Sequence, residues 1–262
     1  MMTLLRVELR RALSRRLVRV LVGLALVVTG IVGVVAFIQT SGSASDGPIE
    51  LVELWPTDGD DPILLTSTLF LVAGALLAGA SVIGAEWRSG SITTLLTWEP
   101  RRVRVAVSKV ATAALAAAAI GLILQGVFVL ALLPALLVHG STAGAHGAWF
   151  VGMLGGIARS AVLVGLSAAL GASLAMVGRN TAVAFGSAFV YLNVVEGVAR
   201  AWKPWIGRWL ISENVAIFVM GGRVEGMPFT RSPVVATVTV FGYVTAIATV
   251  GILTFRHRDI AL

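Results

Sequence analysis

Few side chains in this sequence could perform catalysis or hold a metal ion, and no known motif assembles them. The three histidines, His139, His146 and His257, fall in a loop or in the C-terminal tail. The stretch Asp58-Gly59-Asp60-Asp61 is acidic but lacks the later bidentate glutamate of an EF-hand, so we interpret it as a solvated loop. The absence of cysteine excludes disulfides, thiolate metal sites and a cysteine nucleophile. We therefore predict a chain with no catalytic residues and no metal or cofactor of its own.

A phosphate-cradling loop of the form G-x-x-x-x-G-K-[ST] is also missing from the sequence. If ATP drives this protein, a separate chain has to bind it. The net charge of +7 does not indicate nucleic acid, because the basic residues lie beside apolar stretches, where they orient membrane proteins.

Ionisable and polar residues inside the apolar stretches are rare, and each is a candidate for function by default. Gln125, Arg159 and Glu196 are the candidates for a role in a transport pathway or in helix packing. We expect Arg159 to extend its charged head toward the membrane surface. Glu196 precedes Arg200 by four residues, which predicts an ion pair along one helix face. An ion-coupled carrier normally needs buried acids near the bilayer midplane, and this sequence offers few.

The densest group of charged and helix-breaking residues lies between two apolar stretches, at 86–104. Glu86 and Arg88 form a charged helix end, and Gly90 permits a sharp change of direction. Ser91 to Trp98 can form a short helix that Pro100 ends. Arg101, Arg102, Arg104 and Lys109 would hold the next helix at a membrane interface.

Composition indicates which secondary-structure elements hold these residues in place. The chain has 262 residues, of which 57% are hydrophobic and 13% charged, and its mean hydropathy is +0.93. A soluble domain carries about 25% charged residues, and a bilayer-spanning helix needs about 20 mostly apolar residues. We predict an all-α polytopic membrane protein with one transmembrane domain, 1–262. Its six predicted spans are 20–38, 63–85, 105–138, 148–177, 181–198 and 234–255.

Charge asymmetry predicts the orientation of these spans. Residues 1–19 are rich in arginine, with leucines every four residues, and are expected to form an amphipathic helix in the headgroup plane, against membrane lipid. The alternatives are an ordinary basic flank of the first span and a cleaved signal peptide, whose apolar core of about 7–15 residues is shorter than 20–38. The loop that follows the first span has six acidic residues and no lysine or arginine. The positive-inside rule then places both termini in the cytoplasm of a multi-pass plasma (inner) membrane protein.

Two further patterns concern packing and the outer surface. Small residues four apart, such as Ala161, Gly165 and Ala169, suit close helix contacts within the bundle or across a dimer, although an alanine-rich composition also produces them by chance. Pro134 is expected to end or kink the third span. The outer segment 199–233 contains Trp202, Trp205 and Trp209, which are typical of a membrane interface. A plain aromatic belt on a surface helix is the alternative interpretation.

Segment 86–109 resembles the inner loop of permease subunits in the ABC-2 type family of ABC exporters. The matching residues keep the family's order, with Ser91 and Ser108 as departures: Glu86, Gly90, Leu95, Leu96, Pro100, Arg101, Arg102 and Lys109. The resemblance extends to the basic N-terminal helix, the six spans and a re-entrant-like segment before the last, as in type V ABC exporters.

This resemblance implies that 86–104 contains a cytoplasmic coupling helix that docks on a separate ATPase subunit, with Arg179 in a secondary inner contact. Two ATPase copies carrying ATP and Mg²⁺ and a second permease subunit, identical or paralogous, would complete the transporter. The cargo would be hydrophobic or amphipathic: a drug, a lipid-linked molecule or an antimicrobial peptide. An ion-coupled secondary transporter and a non-transport membrane scaffold remain the alternatives.

Overall fold

The computed structural model describes residues 2–41, 51–55, 63–98, 101–222, 224 and 229–257, and in this part α-helices dominate. The ten α-helices of these residues are α1 Met2–Ser14, α2 Arg16–Ser41, α3 Ile63–Arg88, α4 Ser91–Trp98, α5 Arg102–His139, α6 Gly147–Gly178, α7 Thr181–Val190, α8 Glu196–Trp202, α9 Ile211–Met220 and α10 Pro233–His257. A π-helical turn, Tyr191–Val195, joins α7 to α8, and short 3₁₀ helices occupy Leu51–Leu54 and Pro204–Trp209.

Six helical segments in the described residues are long and apolar enough to cross a membrane, which confirms the predicted class and number of spans. They are α2, α3, α5, α6, the continuous segment Thr181–Trp202 and α10. Many of their large hydrophobic side chains face outward, as expected when lipid rather than water surrounds the bundle.

Helix α6 lies at the centre of the bundle and packs against α3, α5 and α10. Glycine allows these approaches. A Cβ atom on Gly79 or Gly171 would collide with the backbone at the crossing of α3 and α6. A Cβ atom on Gly165 would meet the carbonyl oxygen of Ala114 on α5 at 2.8 Å. The ladder of small residues on α6 therefore serves close packing inside this chain.

Of the two effects predicted for Pro134, ending the third span is excluded, because α5 continues through it to His139, while a kink stays a prediction. Proline lacks the N–H of one helical hydrogen bond, yet a buried helix tolerates that loss where neighbouring helices enclose it. Leu132, Ala135 and Leu136, on either side of the proline, are buried in a core cluster with Trp149.

The two ends of the bundle are distinct. One end, here the α4 end, contains α1, α4, the first residues of α5 and the last residues of α10; Arg102 donates to the backbone oxygen of Arg256 at 3.4 Å. The opposite end, here the α9 end, contains the 3₁₀ helices, α8 and α9. There the indole Nε1 of Trp149 donates to the backbone oxygen of Trp55 at 2.8 Å. The N-terminal helix and the end of the last helix thus share one end.

Candidate functional site

Four charged side chains, from α1, α3, α5 and the corner after α1, meet at the α4 end, and we call them the α1–α3–α5 ion cluster: Glu8, Arg15, Glu86 and Lys109. The Nζ atom of Lys109 lies 2.8 Å from Oε1 of Glu86 and 3.0 Å from Oε2 of Glu8. A guanidinium nitrogen of Arg15 lies 3.1 Å from the same Oε1 of Glu86. These two acids and two bases balance, which lowers the cost of burying them, and the exposed Arg11 lies 3.7 Å from Glu8 at the margin of the cluster.

Local structure explains how these residues converge. Helix α1 ends at Ser14 and α2 begins at Arg16, so Arg15 stands at the corner between them. From that corner its guanidinium also donates to the backbone oxygens of Ser81 and Val82, at 2.9 and 3.0 Å. Arg15 therefore fastens the N-terminal corner to the last turns of α3.

The cluster is deeply buried. Lys109 is 1% exposed and Glu8 4%. Oε2 of Glu86 has no hydrogen-bond partner among the described residues. An incomplete set of partners around a buried carboxylate is costly, so the arrangement holds only while α1, α3 and α5 keep their relative positions.

Helix α4 is attached to this cluster by a short turn. Gly90 joins α3 to α4 with a φ of +67°, a left-handed conformation that favours glycine. Ile92 is 1% exposed and packs with Ile83 and Phe255, while Ser91 and Thr94 are exposed. The side chains of Leu95 and Leu96, and the whole of Pro100, lie outside the described residues.

The turn between α6 and α7 lies at the same end. Arg179 adopts a left-handed conformation with φ of 55°, and its guanidinium stacks over the ring of Trp87, 4.9 Å from the centroid. Trp87 in turn contacts Phe255 edge to face. The structure thus brings Glu86, Arg88, Gly90, Ser91, Arg101, Arg102, Lys109 and Arg179 to one end of the bundle.

A second charged arrangement holds the short apolar helix α9 at both of its ends, and we call it the α9 clamp: Glu196 and Arg159. Glu196 is fully buried, and its carboxylate accepts hydrogen bonds from the backbone N–H groups of Ile211 at 2.7 Å and Ser212 at 3.1 Å. It also accepts a hydrogen bond from the hydroxyl of Ser212. A carboxylate at this position satisfies the free N–H groups of the helix start and complements its positive dipole end.

Arg159 acts at the other end of α9. Its Nε donates to the backbone oxygen of Val219 at 2.8 Å, and another guanidinium nitrogen lies 3.4 Å from that of Met220. The last carbonyls of a helix lack partners within it, and a cation there complements the negative dipole end.

The structure corrects one expectation about these residues. Glu196 does not form the predicted pair with Arg200. Instead, Arg200 lies 2.7 Å from Glu213 and donates to the hydroxyl of Ser212. A tertiary contact with the start of a helix prevails over the local pair. The contact of Arg159 with the end of α9 was not predicted, and the extension of its charged head toward the membrane surface stays a prediction.

Gln125, the third polar candidate, is fully buried and joins helices. Its Nε2 donates to the hydroxyl of Thr68 at 2.6 Å, and its Oε1 accepts from Ser67 at 2.9 Å. Thr68 continues to Ser160 on α6 at 3.0 Å. This chain of hydrogen bonds connects α3, α5 and α6, which is a packing role.

The remaining sequence candidates fall outside these arrangements. His139 contacts the ring of Phe37, and Nδ1 of His146 accepts from the backbone N–H of Trp149 at the start of α6. The acidic stretch 58–61 lies outside the described residues. Trp202, Trp205 and Trp209 are more than half exposed at the α9 end, each beneath a cation, and their placement in a membrane interface stays a prediction.

Glu8 and Arg15 belong to the candidate site by their contacts, and sequence reasoning missed both. Glu8 was detectable as the only acidic residue among the six arginines of 1–19.

A scan against models of known protein families gives no match, and a search of curated proteins gives no significant match either.

Proposed function

We propose that this chain is the membrane-spanning permease subunit of an ATP-driven exporter, with α4 receiving force from a separate ATPase subunit. The observation that carries the proposal is the α1–α3–α5 ion cluster next to α4. A buried cluster of this kind fixes three elements relative to one another. A push on α4 would then move α1, α3 and α5 together.

The surface chemistry of the α4 end supports a protein contact there. Ser91 and Thr94 on α4 are exposed, and so is Arg88 at the end of α3. A hydroxyl-bearing helix flanked by a cation fits a polar groove with acidic residues on the partner. Ile92 anchors the opposite side of α4 in the core, so a load on the exposed side reaches the bundle.

The arrangement of the buried acids argues against the ion-coupled alternative. Glu8 and Glu86 contact Lys109, while Glu196 accepts three hydrogen bonds at the start of α9. Among the described residues, each of these buried carboxylates has at least one structural partner, whereas a carrier needs acids that exchange protons or ions. Energy supplied from outside the bundle fits better.

Orientation completes the proposal. The α4 end carries α1 with its arginines, together with Arg101, Arg102 and Arg256, and the positive-inside rule assigns such an end to the cytoplasm. A second permease subunit, two ATPase copies with ATP and Mg²⁺, and a hydrophobic or amphipathic cargo belong to the same proposal.

The test is purification of the tagged chain from its native membrane with any ATPase that accompanies it. Success requires a co-purified protein with a P-loop sequence and ATP hydrolysis in the complex. Thr94→Trp, on the exposed side of α4, is expected to reduce the co-purified ATPase by roughly tenfold, a loss of about 1.4 kcal/mol of binding.

Thr142→Trp is the matched control, since Thr142 is exposed in the loop at the α9 end. It should leave the complex intact. Co-purification that is unchanged by Thr94→Trp, or the absence of any nucleotide-hydrolysing partner of the original chain, would refute the coupling role of α4.

A further inference from the structure

A large apolar groove opens between α2 and α3, with α5 and α6 as its floor. Its volume is about 610 Å³. The groove runs along α2 from Val18 to Val32, a rise of about 21 Å at 1.5 Å per residue. One leaflet contributes about half of the 30 Å hydrocarbon core, so the groove is as long as a lipid acyl chain needs.

The side chains that line the groove offer water few hydrogen-bonding partners. It is almost entirely aliphatic, and its polar side chains are Thr29, Thr66 and Ser67. The hydroxyl of Ser67 lies 2.9 Å from Oε1 of Gln125, so it already has a partner inside the protein. Water occupies cavities that offer several polar partners, and apolar cavities stay dry.

The groove is a built feature rather than a gap between loose helices. Helix α2 touches α5 closely at Gly33, where a Cβ atom would meet the backbone oxygen of Ala131 at 2.6 Å. At the other end, Arg15 ties the beginning of α2 to α3. Between these two attachments, small residues on α3 keep the groove open, and a Cβ atom on Gly74 would meet nothing within 4 Å.

Two arginines adjoin one end of the groove. Ala12 and Leu13 of α1 line that end, and Arg16 and Arg19, which are exposed and lie outside the lining, follow at the start of α2. Each arginine near a membrane surface contributes to attraction of anionic lipid. A neutral apolar molecule would make no use of these arginines.

We propose that this groove binds an acyl chain of an anionic phospholipid from the leaflet at the α4 end, with the phosphate near Arg16 and Arg19. The lipid fills the space between α2 and α3 and so supports the wall of the bundle. This site needs no ATPase partner and stands independently of the proposed function.

The experiment uses the purified chain in phosphatidylcholine vesicles that contain phosphatidylglycerol with a photoreactive diazirine in mid-chain. After illumination, mass spectrometry of peptides locates the adducts. We expect adducts concentrated on the facing residues of α2 and α3, above the level on the lipid-exposed faces of α7 and α10.

Two substitutions fill the groove, Gly74→Leu and Ala78→Leu, and each should reduce the α2 and α3 adducts to the level on α10. Gly126→Leu is the matched control: a Cβ atom there also meets nothing within 4 Å, but Gly126 does not line the groove. It should leave the adducts unchanged. Variants are compared only if they elute as the original chain does.

A second comparison tests the preference for an anionic headgroup. Photoreactive phosphatidylcholine should label α2 and α3 less than phosphatidylglycerol does, and replacing Arg16 and Arg19 together with glutamine should remove the difference. Uniform labelling of all lipid-facing helices, equal labelling by both lipids, or persistence in both groove-filling variants would overturn the proposal. Disulfide-linked dimers through Ala78→Cys would overturn it too, because a second copy would then occupy the groove.

Discussion

The side chain of Lys109 is almost inaccessible and lies between the carboxylates of Glu8 and Glu86. Exchanging a complete buried ion cluster for neutral groups can be harmless, whereas removing one member leaves an uncompensated charge. The effect of a substitution here therefore depends on what else is changed with it.

Lys109→Met is expected to destabilise the chain by about 3 kcal/mol, because both carboxylates lose their shared cation. The double change Glu8→Gln and Lys109→Met removes one acid and one base and leaves the pair of Glu86 with Arg15, so it should recover part of that loss. Thermal unfolding in detergent measures both. Arg88→Gln, at an exposed position, should stay within about 0.5 kcal/mol of the original. A double variant as unstable as the single one would show that the ion pairs are not the cause.

Glu196→Ala is expected to loosen α9, since three buried donors lose their acceptor. A lost helix cap costs about 1–2 kcal/mol, which raises the open population by roughly 5–30-fold. A cysteine placed at Ala216 in this cysteine-free chain should then react correspondingly faster with a maleimide. Glu213→Ala, which removes the more exposed pair with Arg200, should change the rate little. Equal rates in the two variants would contradict the α9 clamp.

At the scale of elements, α6 sets the geometry of the bundle through close backbone contacts at glycine residues. Gly79 of α3 and Gly171 of α6 let the two backbones approach so closely that a single methyl group has no space. In lipid, this packing replaces the hydrophobic effect as the force that joins helices. A glycine on an open helix face is not needed for the close approach of two helices.

We expect Gly79→Ala and Gly30→Ala to have opposite effects. The first forces a methyl group against the backbone of α6 and should cost about 1–3 kcal/mol. The second adds a Cβ atom on α2 where nothing lies within 4 Å, and should be neutral or stabilise by up to about 1 kcal/mol. The fraction that remains monodisperse after heating distinguishes them. If the two behave alike, the close crossing of α3 and α6 is not present.

At the scale of the whole molecule, the bundle has two chemically different ends. The basic residues of α1 and of the first turn of α5 share the α4 end with the end of α10. Trp202, Trp205 and Trp209, together with the buried ends of α9, occupy the opposite end. Such an asymmetry of basic residues determines which end of a membrane protein stays in the cytoplasm during insertion.

Single cysteines test the orientation directly. Ser91→Cys at the α4 end should react with a membrane-impermeant maleimide only after the cells are permeabilised, whereas Thr142→Cys at the α9 end should react in intact cells. Both positions are exposed, so access through the membrane decides the result. The reverse pattern would place the α4 end outside and exclude an ATPase contact there.

The sequence predicted what depends on long apolar runs and on local chemistry. Six spans, the short helix from Ser91 to Trp98 and the glycine turn before it all follow from patterns within a few residues. The partners of the buried charges did not follow, because Glu8 lies 101 residues from Lys109 and Arg159 lies 60 from Val219. Glu196 was misassigned for the same reason: the nearest cation was Arg200, but the start of α9 offers three donors in fixed positions.

The separation between Arg159 and its acceptors has a consequence for biogenesis. A ribosome adds about 5–20 residues per second, so the 60 residues between Arg159 and Val219 correspond to roughly 3–12 s of synthesis. During that interval Arg159 has been synthesised, but the carbonyls that receive its guanidinium do not yet exist. The nascent chain must therefore keep this cation hydrated, in the ribosome, in the translocon or at the bilayer surface, until α9 arrives.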